Sequence, residues 1–187
     1  MKNFPVLDRT EKMDYAQVTS RLYVGSCPKT IADVERLRQD LAITAVLNLQ
    51  TEEDMASVNL NWPPLEAYYN GNTINLCRMP MKEEQRELRE KLLQCVDTVE
   101  SLLVAGHTVY LHCTAGIGRS PTVAIGYLRC CLGWQLDAAV RYAKQVRQCS
   151  PHVEALRLAI QDQEERGWQC CIGSSTPLLR SLRSSSR

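Results

Sequence analysis

Residues 112–122 read His112-Cys113-Thr114-Ala115-Gly116-Ile117-Gly118-Arg119-Ser120-Pro121-Thr122, and this stretch is the most informative part of the sequence. A short apolar run rich in strand-forming residues, 108–111, comes before it, and a second apolar run, 123–132, follows. The succession predicts a β-strand, a glycine-containing loop and an α-helix. Because the N–H groups at a helix N-terminus are unpaired and carry partial positive charge, the loop is a predicted anion site.

The residue types within the loop specify which anion chemistry is possible. Glycines at 116 and 118 allow successive N–H groups to turn inward and meet phosphate oxygens without interference from a Cβ. Arg119 adds a planar fork that can hold two oxygens at once. The same positive elements favour the thiolate form of Cys113, which is the nucleophilic form. Ser120 is a predicted hydrogen-bond donor to the sulfur when a thiophosphate breaks down.

The spacing His-Cys-x5-Arg-Ser between a strand and a helix resembles the protein tyrosine phosphatase superfamily, and in particular its dual-specificity branch. The resemblance implies that Cys113 attacks phosphorus, that Arg119 holds the phosphoryl group, and that water hydrolyses the cysteinyl-phosphate. The phosphate-binding residues that it implies are Thr114, Ala115, Gly116, Ile117, Gly118, Arg119 and Ser120. The alternative, a buried cysteine followed by an arginine that only caps other groups, does not account for the glycines and the serine.

A closer resemblance points to a substrate. The loop interior 114–118 is similar to that of the glucan phosphatases, the group of laforin and the plant starch phosphatases. Outside the loop, residues 23–30, 33–37 and 44–50 resemble the opening strand, helix and strand of the plant enzymes, and the similarity extends over residues 14–165. It implies that phosphorylated starch or glycogen is the substrate.

Two features depart from that family pattern. The segment where a general-acid Asp is expected, residues 78–86, contains no Asp, and Glu83 stands at the corresponding position, followed by Glu84. Glu83 is therefore the candidate acid, and the alternative is a pair of solvated carboxylates that begin a helix.

The second departure is a shortage of aromatic rings for sugar binding, since the one Phe of the chain is Phe4. Trp62, Tyr68 and Tyr69 lie in the Pro-containing stretch that forms a wall of the cleft in the family. They are candidates for stacking on glucose rings, with ordinary loop packing as the alternative.

Alternating apolar segments predict an α/β fold with a mostly parallel central sheet flanked by helices, as in the protein tyrosine phosphatases. The predicted strands are residues 21–25, 43–49, 74–78 and 108–112. The predicted helices are residues 31–39, 86–105, 121–132, 136–148 and 152–164. A nucleophile at the carboxyl end of a strand lies where such sheets bind ligands.

The predicted domains are an N-terminal extension at 1–13, a catalytic domain at 14–167 and a Ser- and Arg-rich tail at 168–187, which is expected to be disordered. The N-terminal region has no apolar run of signal or membrane length. We therefore expect an intracellular protein, cytoplasmic or in a plastid if a transit peptide has been removed.

The net charge and the cysteine and histidine content limit which partners and cofactors the protein can be expected to bind. A formal charge of +1 argues against a general nucleic-acid binder. The nine cysteines show no Cys-x-x-Cys spacing and the three histidines do not cluster, so neither a metal nor another cofactor is expected. His112 is expected to hold the loop and His152 to begin a helix.

Two classes of function remain open. The first is an active cysteine-dependent phosphatase, acting on phosphorylated glucan or, alternatively, on phosphoprotein. The second is a weakly active glucan-binding scaffold that keeps the phosphate loop, suggested by the missing Asp. The sequence predicts no oligomeric state.

Overall fold

The computed structural model describes residues 13–166. Its strands are β1 (Tyr15–Thr19), β2 (Leu22–Gly25), β3 (Ala45–Asn48), β4 (Asn75–Arg78) and β5 (Val109–His112). Its helices are α1 (Ile31–Leu41), α2 (Glu52–Ser57), α3 (Trp62–Gly71), α4 (Gln85–Val104), α5 (Arg119–Cys130), α6 (Leu136–Val146) and α7 (Val153–Glu165). The strands form one sheet in the order β1-β2-β5-β3-β4. Only β1 runs antiparallel to its neighbour, so the predicted mostly parallel α/β fold is confirmed.

Both faces of the sheet are buried, and alternate residues of its central strands point to opposite sides. Leu47 and Leu111 belong to a large core that also contains the apolar faces of α4, α5, α6 and α7. Val46 and Tyr110 belong to a smaller core with residues of α1 and α3. Covering both faces with helices is what a parallel sheet requires, and it leaves the carboxyl ends of the strands open at one edge.

The four predicted strands and five predicted helices are present, each with ends within two residues of the prediction. Strand β1 was not predicted because it is an edge strand whose single buried side chain, Val18, gives no alternating pattern. Helices α2 and α3 were also missed. In α3 the prolines after Trp62 occupy the first turn, where a helix needs no N–H donor, so a segment expected to be a loop is helical.

None of the described helices is both long and apolar enough to cross a membrane. The seven cysteines between residues 13 and 166 are free thiols. Residues 1–12 of the extension predicted at 1–13, which include Phe4, and the Ser- and Arg-rich tail predicted at 168–187 lie outside the described residues.

Candidate active site

The loop predicted to bind phosphate begins at the centre of the sheet. Strand β5 lies between β2 and β3 and ends at His112, and the helix α5 begins at Arg119 with Gly118 as its N-cap. The loop is tied to the segment that follows the neighbouring strand β2, since the Cys27 N–H donates to the Thr114 carbonyl at 2.9 Å. The predicted strand, loop and helix are therefore all present, with Cys113 at the carboxyl end of the central strand.

Gly116 is required by the path of the loop. Its φ is +72°, a conformation that residues with a Cβ rarely adopt. A Cβ at this position would also lie 2.4 Å from the backbone carbonyl group of Gly25. The glycine thus lets the loop turn tightly against the end of β2.

The thiol of Cys113 lies at the bottom of the loop and is 2 % exposed. Its Sγ is 3.4 Å from the hydroxyl of Ser120, in the first turn of α5. This places the Ser120 hydroxyl where it can donate a hydrogen bond to the sulfur, the geometry needed for the role predicted from the sequence.

Arg119 is held by an unusual number of acceptors for a side chain that is 4 % exposed. Its guanidinium donates to both carboxylate oxygens of Asp54, at 2.6 and 3.0 Å. It also donates to the carbonyl of Met81 at 2.8 Å and reaches that of Leu49 at 3.4 Å. These bonds fix the plane of the guanidinium before any substrate arrives.

Unlike the two Nη groups of Arg119, its buried Nε–H has no hydrogen-bond acceptor among the described residues. The nearest carboxylate oxygen, Glu83 Oε1, is 3.2 Å away, close enough for an ion pair. Leaving a buried donor unpaired costs about 1–3 kcal/mol. A phosphate oxygen in the loop would remove that cost.

Asp54, the partner of Arg119, was not recognised from the sequence. Its carboxylate also caps α2, since Thr51 and Asp54 form a reciprocal capping box. Burial alone raises the pKa of Asp54, but the hydrogen bonds from Arg119 and Thr51 outweigh burial, and the net pKa lies below its ordinary value. The Thr-x-x-Asp pattern just after β3 was the available signal.

Arg147 supports the loop from the opposite side and was also missed. It lies at the C-cap of α6 with its side chain 5 % exposed. Its Nε donates to the Gly116 carbonyl at 2.7 Å and its Nη2 to the Ala115 carbonyl at 3.1 Å. By holding these carbonyls outward, Arg147 keeps the opposite, N–H-bearing side of the loop available to an anion.

His112 holds the loop as the sequence predicted. It is buried, and its Nδ1 lies 3.1 Å from the carbonyl oxygen of Cys113, so a neutral ring with its proton on Nδ1 donates to that carbonyl. Burial is the main cause that lowers the pKa of His112 to about 4, and the charge of Arg119 acts in the same direction. At neutral pH the ring is therefore uncharged.

This buried imidazole predicts how stability depends on pH. Its pKa is about 4 in the folded protein and about 6.5 in an unfolded chain. The unfolded chain therefore binds more protons between these values, and the free energy of unfolding falls as the pH falls from about 6.5, by about 1.4 kcal/mol per unit. Urea unfolding at pH 7, 6 and 5 measures this slope.

His112→Asn is the matched control for the pH prediction, because it keeps a side-chain N–H near the Cys113 carbonyl and removes the titrating ring. The variant is expected to lose the slope between pH 6.5 and 5. Carboxylates titrate below that window. An unchanged slope in His112→Asn would show that another group causes it.

The cleft over the loop has a volume of about 740 Å³. Its lining residues are Thr51, Glu53, Asp54, Lys82, Glu83, Cys113, Thr114, Ala115, Ile117, Gly118, Arg119, Ser150 and His152. Glu83 is therefore in the cleft, whereas Glu84 is the N-cap of α4 and does not line it. Of the two carboxylates proposed from the sequence, Glu83 is the one that the fold brings to Cys113 and Arg119.

The aromatic side chains proposed as glucan contacts are not part of this lining. Tyr69 is 1 % exposed and packs in the smaller core, so in this structure it has no surface on which a sugar could stack. Tyr68 donates a hydrogen bond to Glu35 on α1. Trp62 packs against Tyr69 and under the guanidinium of Arg78, 4.9 Å from the ring centroid.

Metal chemistry has no candidate ligand set between residues 13 and 166, since no group of three His, Cys, Asp or Glu side chains there could hold an ion. Arg119 and the amides of the loop are groups that can stabilise the charge of a phosphoryl group. This arrangement matches what phosphoryl transfer needs, which is positioning and electrostatic stabilisation.

A nucleophilic cysteine in a phosphate loop, on a mostly parallel sheet flanked by helices, defines the class of cysteine-dependent phosphatase domains. The model of the dual specificity phosphatase catalytic domain matches residues 22–163. The chain therefore belongs to the dual-specificity phosphatase family, as the sequence resemblance implied.

The similar curated proteins include several that carry glucan phosphatase names. Laforin of Mus musculus is 32 % identical over 165 residues, which is 82 % of this chain and 50 % of laforin. Phosphoglucan phosphatase LSF1, chloroplastic, of Arabidopsis thaliana is 31 % identical over 151 residues, or 80 % of this chain and 25 % of the relative. The chain thus spans half or less of the length of these relatives.

Solved structures of phosphatases share the fold. The crystal structure of PTPMT1 superposes with a TM-score of 0.67 at 20 % identity, covering 81 % of this chain and 94 % of that one. Human DUSP28 gives a TM-score of 0.61 at 21 % identity, covering 81 % of this chain and 93 % of that one. At these identities the likeness supports the fold alone.

Proposed function

We propose that this protein is a cysteine-dependent phosphatase that removes phosphate from phosphorylated glucan, starch or glycogen. The observation that carries the proposal is the loop itself, with Cys113 at its bottom and Arg119 lining the same cleft, its buried Nε–H without a hydrogen-bond acceptor among the described residues. A loop that served only to bind phosphate would not need the thiol.

In the first half-reaction the phosphate of the substrate binds the loop amides and Arg119. The Cys113 sulfur attacks phosphorus, a phosphorus–sulfur bond forms, and the bond from phosphorus to the glucose oxygen breaks. The glucose oxygen leaves with the bonding electrons and takes a proton from Glu83. The products are a cysteinyl-phosphate and a free glucan hydroxyl.

In the second half-reaction water attacks the phosphorus of the cysteinyl-phosphate. The phosphorus–sulfur bond breaks, and the sulfur leaves with the electron pair as a thiolate, stabilised by the hydroxyl of Ser120 at 3.4 Å. The water loses one proton to a base in the cleft. Inorganic phosphate leaves, and the thiolate is ready for another substrate.

Two observations favour a glucan over a phosphoprotein. Laforin and the phosphoglucan phosphatases are among the similar proteins, although dual specificity protein phosphatase 1 is as well. The lining of the cleft also has three carboxylates, Glu53, Asp54 and Glu83, beside the cations Lys82 and Arg119. An uncharged sugar chain meets no repulsion from these carboxylates, whereas acidic residues flanking a phosphosite do.

The experiment compares initial rates of phosphate release from solubilised phosphorylated starch or glycogen and from a phosphotyrosine peptide at equal phosphate concentration. The proposal expects the higher rate constant on glucan. Release from peptide alone would support a protein phosphatase and remove the glucan assignment. Release from neither substrate would support the scaffold.

Glu83 is proposed as the proton donor, and its side chain is 57 % exposed at the edge of the cleft. Glu83→Gln is expected to lower kcat on an alkyl phosphate by about 10²-fold and to have a much smaller effect on p-nitrophenyl phosphate, whose leaving group needs no proton. Glu84→Gln is the matched control, because Glu84 lies outside the cleft. Equal losses on both substrates would exclude Glu83 as the donor.

The proposed setting is intracellular, cytoplasmic or plastid. The name of the Arabidopsis thaliana relative, LSF1, chloroplastic, supports the plastid.

A further inference from the structure

His152, at the start of α7, has an imidazole nitrogen for which the proposed reaction as described so far has no use. Its Nε2 is buried and has no hydrogen-bond partner among the described residues. The residue lines the same cleft as Cys113 and Arg119. A buried polar atom without a partner costs free energy, and it points to a partner that arrives with the substrate or as water.

The position of Nε2 is defined by the phosphate loop. A Cβ on Gly118 would lie 2.8 Å from His152 Nε2 and 3.3 Å from Glu83 Oε1, so both groups border the same point above the last glycine of the loop. Glu83 reaches this point from the connection between β4 and α4, and His152 reaches it from the connection between α6 and α7. Two groups able to transfer protons thus flank the mouth of the loop.

The segment that carries His152 is fixed to the loop through its backbone. The His152 N–H donates at 2.8 Å to the hydroxyl of Thr122, which donates in turn to the Gly118 carbonyl at 2.8 Å. Two residues earlier the Ser150 N–H donates to the Ile117 carbonyl at 2.9 Å. The imidazole is therefore presented by a rigid wall, which is what a catalytic group needs.

We infer that His152 is the base of the second half-reaction and takes a proton from the water that attacks the cysteinyl-phosphate. Water then occupies the place that the glucose oxygen has left, opposite the sulfur, which is the place that groups at the mouth of the loop can reach. The water oxygen bonds to phosphorus, the phosphorus–sulfur bond breaks, Cys113 regains its thiolate, and the proton moves to Nε2 and then to solvent. Glu83, which gave its proton to the glucose oxygen, regains one from solvent before the next turnover.

With this assignment, two residues share the acid and base roles of the Asp that the sequence lacks. One carboxylate usually serves as acid and then as base, whereas here Glu83 protonates the leaving oxygen and His152 deprotonates the water. An imidazole nitrogen without a hydrogen-bond partner can accept a proton, and that is what the second task requires. The inference rests on the proposed cysteinyl-phosphate route.

The test measures the two half-reactions separately by rapid acid quench of the full chain with p-nitrophenyl phosphate as the probe. In His152→Ala, formation of the cysteinyl-phosphate is expected to stay within about twofold of the unsubstituted protein, while its hydrolysis slows about 10²-fold. The cysteinyl-phosphate then accumulates at steady state. Added imidazole is expected to restore hydrolysis in His152→Ala, since it can replace the missing base.

Two further variants serve as controls for side-chain volume and for the loss of an imidazole elsewhere. His152→Gln retains volume and a hydrogen-bonding group without a basic nitrogen, so hydrolysis should remain about 10²-fold slow. His107→Ala removes an imidazole that pairs with Thr44 at 3.0 Å, before β5 and away from the cleft, and should change neither half-reaction.

Three results would overturn the inference: unchanged hydrolysis in His152→Ala, an equal fall of formation and hydrolysis, or restoration of hydrolysis by His152→Gln. Failure of the proposed route itself would appear differently, as the absence of any cysteinyl-phosphate in the unsubstituted protein.

Discussion

Cys113→Ser is expected to reduce phosphate release by about 10⁴-fold or more. A serine hydroxyl is a far weaker nucleophile than a thiolate. Phosphate binding should survive, because Arg119 keeps its bonds to Asp54 and to the Met81 carbonyl, and the loop amides are unchanged. The measurement is turnover of p-nitrophenyl phosphate beside binding of inorganic phosphate.

A matched control is available in Cys149, which is half-buried, close in the chain to Arg147, and absent from the cleft lining. Cys149→Ser should leave turnover close to that of the unsubstituted protein. Residual activity in Cys113→Ser near that of the control would mean that another group is the nucleophile.

Arg119→Lys is expected to lower kcat by about 10²- to 10³-fold even though the charge is retained. A lysine ammonium can approach one acceptor group, whereas Arg119 meets Asp54 with two nitrogens and keeps a buried Nε–H that has no hydrogen-bond acceptor among the described residues. Because the charge that develops on the phosphoryl oxygens is no longer met by this Nε–H, kcat should fall more than KM rises. Steady-state kinetics on p-nitrophenyl phosphate measures both.

The Arg119 substitution also changes stability, and the two effects must be separated. Asp54 would lose its bidentate partner while remaining half-buried, so urea unfolding should show a loss of about 1–3 kcal/mol. Activity is therefore compared at a temperature at which the variant is folded. Arg157→Lys, on the exposed face of α7, is the control for the substitution itself and should change neither property. An Arg119→Lys variant with unchanged kcat would show that the guanidinium fork is not needed.

The parts of the fold that followed from the sequence are those with strong local patterns. Strand β5 and helix α5 were predicted from one apolar run on either side of the loop, and α4 from a repeating buried face that includes Leu88, Leu92 and Val96. These segments are rich in apolar residues and lie in the core, so contacts with other elements do not change the secondary structure that their own pattern predicts. Helix α3 does not follow from the sequence pattern because its two prolines are typical of a loop, although prolines also suit a first helical turn.

The site residues also separate into those that a local sequence pattern reveals and those that it does not. Cys113, Arg119 and Ser120 are close in sequence, so their spacing was enough to bring them together. Asp54 and Arg147 come from distant segments, and their roles depend on which carbonyls and nitrogens the fold places beside the loop. A capped helix after β3 hinted at Asp54, but nothing local to residue 147 indicated two carbonyl acceptors.

Tyr69 shows the reverse error. Its residue type and its place after β3 suggested a sugar-binding ring, but the helical periodicity of α3 turns it into the core together with Leu65. Tyr68, the next residue in the chain, remains half-buried and is engaged by Glu35, whose pKa is lowered to about 2 by hydrogen bonds from Arg38 and Tyr68.

The most direct test of the proposed cysteinyl-phosphate mechanism is to identify where the phosphoryl group of a glucan goes during turnover. The full chain is mixed with labelled phosphorylated glycogen or starch, quenched in acid within the first turnover, digested and mapped by mass spectrometry. The proposed mechanism predicts phosphate on the peptide that contains Cys113. This phosphate should be transient in the unsubstituted protein and longer-lived in His152→Ala. Phosphate released from glucan without passing through Cys113, or found on another residue, would contradict it.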